Sequence, residues 1–211
     1  GGESWLVALA NAVAHLSAMP PPMRDPIPPT ANGSGFIDEL AWLFVPAPPH
    51  ADVWGTDWRT YRQAAARAQA EYFDLHHPDS CAALTGLFGL SAAEVPAPNA
   101  VDKASIYQAF GVGGRSTSVN DGSSLLGSPV VVPHYSAMTA VLQPTRSLEV
   151  WTWLIEEGHF SPLNNVESLM YSPAASCNPP ALRWNALKGS WNLALQSLGW
   201  GLYLVQRSGL T

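Results

Sequence analysis

The sequence predicts an all-α chain of six helices joined by long irregular loops. Three observations predict it. Apolar residues recur at spacings of three and four in separate windows, which is the helical period. Proline-rich stretches such as "SAMPPPMRDPIPP" and "PAPPH" close two of those windows. No tandem repeat and no sustained heptad is present, so the helices are expected to pack as separate elements.

The first helix is expected from about Glu3 to Leu16, where Trp5, Leu6, Leu9, Val13 and Leu16 share a face. The second, about Gly35 to Val45, holds Phe36, Leu40, Leu43 and Phe44. The longest follows an N-cap at Thr56 or Asp57, passes through an alanine-rich middle, and ends near His77 before Pro78. A long irregular region rich in Gly, Ser, Asn and Pro runs from about Cys81 to Pro133, and such loops usually carry function. Three more helices are expected at about His134 to Leu142, Thr145 to Gly158 and Gly189 to Gln206. Between the last two, "FSPLNNVESLMY" reads as a loop that delivers Glu167. The windows at Trp5, Phe36 and Trp191 are apolar almost all round, so they are expected to be covered on more than one face.

The 211 residues suit a single domain, taken here as 1–211. Hydrophobic residues make up 47% and charged residues 12%, a balance that excludes a disordered chain. Ten Lys and Arg are scattered in a chain of net charge -6, which argues against nucleic acid as a partner. No apolar run approaches the ~20 residues that span a bilayer, so no membrane partner is expected. The opening stretch carries an acidic Glu3 and no basic flank, unlike a secretory leader. Cys81 and Cys177 could be a disulfide or two buried thiols.

Several chemistries find no support. "HHPD" at His76 to Asp79 sits where a helix C-terminus favours histidine anyway, so no metal is expected. "GVGGRS" lacks the lysine of a phosphate loop, and no G-x-S-x-G elbow is present. No cofactor is expected. "NGS" at Asn32 is a glycosylation sequon of a kind common by chance. Nine tryptophans are unusual; such rings stack sugars or fill cores.

In order along the chain, several stretches resemble the C-terminal half of the glucoamylase-like glycoside hydrolases, which include bacterial endo-β-1,2-glucanases. These are "ESWLVALANAV", "GSGFIDELAWLFV", "TDWRTYRQAAARAQAEYF", "FGLSAAEVP", "IYQAFGV", "NDG", "VVVPHYSAMTAVLQP", "FSPLNNVESL" and "ALKGSWNLALQSLGWGLYL". The resemblance implies half of an (α/α) six-hairpin toroid with a sugar site at one mouth. It implies an oligo- or polysaccharide partner, a companion chain supplying the N-terminal half, and a periplasmic or secreted location. There are departures. Leu187 stands at the aspartate of the family's "DQG" motif, Glu39, Leu40 and Ala41 replace His-Gln-Tyr, and an Asn-Asn-Val-Glu segment replaces Tyr-Asp.

Glycoside hydrolysis needs two carboxyl groups across the scissile bond. The resemblance places Glu3 on an acid position, although an acidic residue there also suits a helix dipole. Glu167 is the candidate second carboxylate, with Asn164 and Asn165 beside it to bind hydroxyls or cap turns. Glu94 and Asp121 are expected to line the cleft, unless Asp121 only builds its Asp-Gly turn. Tyr107, Trp54 and Trp58 offer stacking faces, and Arg62 matches a family arginine; Trp58 could equally be core. The expected function is hydrolysis of a bacterial glucan-type polysaccharide, by inversion. The alternative is a non-catalytic saccharide-binding or structural subunit.

Overall fold

A computed structural model describes residues 34–45, 50–51, 57–96, 105–112, 120–121, 130–161, 164–171, 182–186 and 190–209. The expected helix at Glu3 to Leu16, together with Trp54 and Cys177, lies outside the described residues. The described helices are α1 (Gly35–Glu39), α2 (Trp58–His76), α3 (Cys81–Leu84), α4 (Pro133–Met138), α5 (Pro144–Glu156) and α6 (Ser190–Ser208). A 3₁₀ turn at Ala41–Leu43 continues α1, so the second expected helix is real but broken.

The all-α expectation does not hold. Strands β1 (Ala92–Pro96), β2 (Ser105–Gly111) and β3 (Asn120–Asp121) form one sheet in that order. Strands β4 (Val130–Val131), β5 (Phe160–Ser161), β6 (Asn164–Tyr171) and β7 (Leu182–Ala186) form a second, with β6 paired to each of the others. The chain is therefore a mixed α and β fold. The physical reason is burial on both faces. Val130, Val131 and Val132 are all 0% exposed, and Val166 to Leu169 are buried in succession. A strand covered on both sides shows no alternation of apolar and polar residues, and strands this short leave little else to read.

Local chemistry sets the helix ends. Asp57 caps α2, its carboxylate accepting the N–H of Arg59 at 3.0 Å and of Thr60 at 3.3 Å. Ser80 caps α3 in the same way through Ala83. Pro133 and Pro144 occupy first-turn positions of α4 and α5, where a missing N–H costs nothing.

The main core gathers Phe73 of α2, Phe88 and Leu90, Val95 of β1, Phe110 of β2, Tyr135 of α4, Leu154 of α5 and Leu169 of β6. Gln69 ties α2 to this core. Its amide donates to Leu90 O at 3.0 Å and accepts from Leu90 N–H at 2.8 Å, taking the place of a strand partner.

Helices α4 and α6 pack unusually close. A Cβ added at Gly199 would lie 2.2 Å from Ala137 O, against backbone that cannot swing away. Gly201, two residues on, has open space around it. Gly199→Ala is expected to destabilise the fold by about 1–3 kcal/mol in urea denaturation, while Gly201→Ala is neutral or stabilises by up to ~1 kcal/mol.

Candidate functional site

The site is built on β6. Val166 pairs with Ala186 of β7, but Ser168 pairs with Asn185, so one residue of β6 is extra. That residue is Glu167. The bulge turns its side chain inward, and only 2% of the residue is exposed.

A buried carboxylate needs donors. Glu167 Oε1 accepts the backbone N–H of Glu94 at 3.0 Å and the side-chain amide of Asn192 at 2.7 Å. Ser168, the next residue, donates from its hydroxyl to Glu94 O at 2.6 Å. The Glu94 peptide is thus held at both ends, and β1 is fastened to β6 by two side chains. Tyr107 lies directly opposite Glu94 in the β1–β2 register. It is 61% exposed, and partial burial followed by the charge of Glu167 raises its hydroxyl above the usual tyrosine range.

Helix α6 closes the other side. Asn165 of β6 donates to Gln196 Oε1 at 2.9 Å. Asn192 and Gln196 lie four residues apart on one face of α6 and are both buried. Three atoms of this group have no hydrogen-bond partner: Asn165 Oδ1, Asn192 Oδ1 and Gln196 Nε2. Two acceptors and one donor therefore stand beside a fixed carboxylate. That arrangement is suited to hydroxyl groups, which donate and accept at once.

The structure brings together Glu94, Tyr107, Asn165 and Glu167 from the sequence-derived set. Asn164 follows one step behind on the same strand, opposite Ser161. Asp121 is placed by the backbone opposite Gly111, at the edge of the first sheet. Glu3 and Trp54 lie outside the described residues. Asn192 and Gln196 were not among the expected residues. Their signal was present: "SWNLALQ" puts two amides at helical spacing in an otherwise apolar run.

Trp58 and Arg62 belong to a second cluster. Trp58 is 8% exposed and packs on Trp42 with ring centroids 5.5 Å apart. Arg62 donates to Glu39 at 2.7 Å and sits over the Trp42 ring. Burial raises the Glu39 carboxyl even though Arg62 pulls it down. Asp38 accepts from the Tyr61 hydroxyl at 3.3 Å. Here the guanidinium is engaged by a buried carboxylate of the same chain.

One further pair has the look of a nucleophile and base. His134 Nε2 lies 3.0 Å from Ser91 Oγ. Both residues are 0% exposed, and His134 Nδ1 has no partner, so no acid orients the ring. Burial lowers this histidine to about 3. The pair is structural. Among the described residues no three His, Cys, Asp or Glu side chains converge as a metal site would require. His76 and His77 instead pack against the Tyr72 ring.

No protein-family model and no curated protein matches this chain. Solved structures do. A candidate glucoamylase from Bacteroides caccae superimposes with TM-score 0.57 at 15% identity, over 82% of this chain and 36% of that one. A β-1,2-glucanase from Parabacteroides distasonis does so with TM-score 0.57 at 14% identity, over 84% of this chain and 22% of that one. This chain shares its fold with part of each of these proteins. A candidate glucoamylase from Bacteroides fragilis gives TM-score 0.52 at 18% identity, over 82% of this chain and 37% of that one. The chain thus spans well under half the length of the structures it matches.

Glu167→Ala leaves the Glu94 N–H and the Asn192 amide buried without their acceptor and is expected to cost about 2–4 kcal/mol. Glu167→Gln keeps an acceptor oxygen and is expected to cost less; paired urea titrations measure both. A second expectation concerns His134. Its folded pKa of about 3 lies below the ordinary value of 6.5, so the unfolded chain binds the extra proton as pH falls. Its neutral packing contributes fully above pH 6.5 and is lost as pH falls toward about 3. Denaturation midpoints across that window should fall with pH, and His134→Asn should flatten part of the slope.

Proposed function

We propose that this chain is part of a carbohydrate-active protein and that a saccharide sits against the Glu167 cluster. The observation that carries this is the trio of unpartnered amide atoms on Asn165, Asn192 and Gln196 beside a buried, oriented carboxylate. Buried polar atoms normally find partners, and sugar hydroxyls supply both kinds these atoms need. The fold supports the reading, because its solved counterparts include a β-1,2-glucanase.

In this reading Glu167 is one of two carboxyl groups of an inverting glycoside hydrolase acting on a bacterial glucan-type chain. In that role its carboxylate receives a proton from the attacking water. Glu3 is the proposed acid that protonates the leaving oxygen. Glu94, Tyr107, Asn164 and Asp121 line the cleft, and Tyr107 offers an exposed ring for stacking. Residues 1–211 act as one domain, and a companion chain supplies elements that the longer counterparts hold in a single chain.

One observation favours a second reading, a subunit that binds saccharide without cleaving it. Glu167 is almost wholly buried, and its Oε1 already accepts two protein donors. Leu187 at the position of a family aspartate agrees with it.

Reducing-sugar release and calorimetric binding on a panel of β-glucans separate the two. The hydrolase reading expects product with wild type and a loss of about 10²–10⁴-fold in Glu167→Gln with folding intact. Binding without product selects the second reading. Neither binding nor product on any glycan, with or without the companion, rejects the proposal.

A further inference from the structure

The polar cluster does not end at Gln196. One turn further along α6 stands Trp200, and Tyr203 follows three residues later. At 100° per residue, Asn192, Gln196, Trp200 and Tyr203 fall on one stripe of the helix. The stripe changes from amide to aromatic along about 16 Å of axis.

The second sheet supplies the opposite side of the same junction. Phe160 of β5 pairs with Asn165 of β6, the residue hydrogen-bonded to Gln196. Phe160 and Trp200 both rest on Trp151, with ring centroids 4.9 and 5.9 Å away and planes nearly perpendicular. Trp151 is itself buried and anchored, its indole N–H donating to Ser136 Oγ at 2.9 Å. Tyr203 packs edge-on against Trp200 at 5.5 Å. Trp151 thus fixes two half-buried rings, and Trp200 fixes a third, in a row that starts at Asn165 and Gln196.

A pyranose has an equatorial rim of hydroxyls and two faces of C–H groups. The rim needs donors and acceptors, and the faces suit aromatic rings. The unpartnered Asn165 Oδ1 and Gln196 Nε2 sit where the polar and aromatic parts meet.

We propose that Phe160, Trp200 and Tyr203 form a stacking track that carries further units of a glycan chain away from the Glu167 cluster. The proposal rests on the saccharide reading of that cluster. It adds that the ligand is a chain of several sugar rings running along α6, and that chain length is read by these three side chains.

Titration calorimetry of the full chain with β-1,2-linked glucose oligosaccharides, from the disaccharide upward, tests it. Affinity is expected to rise about tenfold with chain length. Tyr203→Ala should abolish that rise while disaccharide binding stays unchanged, and Tyr203→Phe should restore it. Tyr203 lies outside the main core, so its truncation leaves the fold intact. Gln196→Ala should weaken all lengths alike. Disaccharide binding with no length dependence, or a rise that survives in Tyr203→Ala, overturns the track and leaves the cluster reading standing. No binding at any length, with or without the companion chain, overturns both.

Discussion

A single oxygen joins three parts of this molecule. Glu167 Oε1 takes a backbone N–H from the first sheet and a side-chain amide from α6, while its own strand anchors the second sheet. Without an acceptor there, β1 would present an unpaired N–H to a dry interior, and Asn192 would be buried for nothing. The bulge between Val166 and Ser168 is what makes this geometry available, because a regular strand would send neighbouring side chains to opposite faces. The chain accepts a disrupted ladder at one residue and gains a fixed carboxylate between sheet and helix.

Buried polar groups here are satisfied to different degrees, and outside the Glu167 group His134 Nδ1, the Tyr135 hydroxyl and Ser147 Oγ also lack partners. Gln69 engages both ends of its amide with Leu90. Asn165, Asn192 and Gln196 each keep one atom unspent. An unpaired buried polar atom costs about 1–3 kcal/mol, and three of them lie on the neighbouring residues Asn165, Asn192 and Gln196. At the Arg62–Glu39 pair the carboxylate is fully buried and the guanidinium meets it at 2.7 Å.

Much of the helical framework was legible in the sequence. Asp57 as a cap, the α2 alanine face, and the two helices on either side of "FSPLNNVESLMY" follow from spacing and capping chemistry alone. The sheets were not legible. Strands of two to eight residues buried on both faces leave no alternating pattern, so "SPVVVP" and "NNVESLMY" read as loop. Glu167 stands out in the sequence beside Asn164 and Asn165, but it lies in a central strand and not in the expected loop. Trp58 and Arg62 read from the sequence as sugar contacts; in the fold Trp58 packs on Trp42, and Arg62 pairs with Glu39 at 2.7 Å while lining a pocket with Trp42, Arg59 and Gln63. Gly199 gave no signal, because the contact that requires it comes from a helix some sixty residues earlier.

The similarity to parts of a β-1,2-glucanase and of candidate glucoamylases, at 14–18% identity, is a similarity of fold. Asn165, Asn192 and Gln196 hold the unspent amide atoms. Side-chain amide resonances in a two-dimensional nitrogen–proton spectrum report on them directly. On addition of a soluble β-1,2-glucan oligosaccharide, Gln196 and Asn192 should shift together and saturate, with Gln69 unmoved as the internally paired control. Saturating saccharide that leaves Gln196 and Asn192 where they were, or that moves Gln69 by as much, contradicts the account.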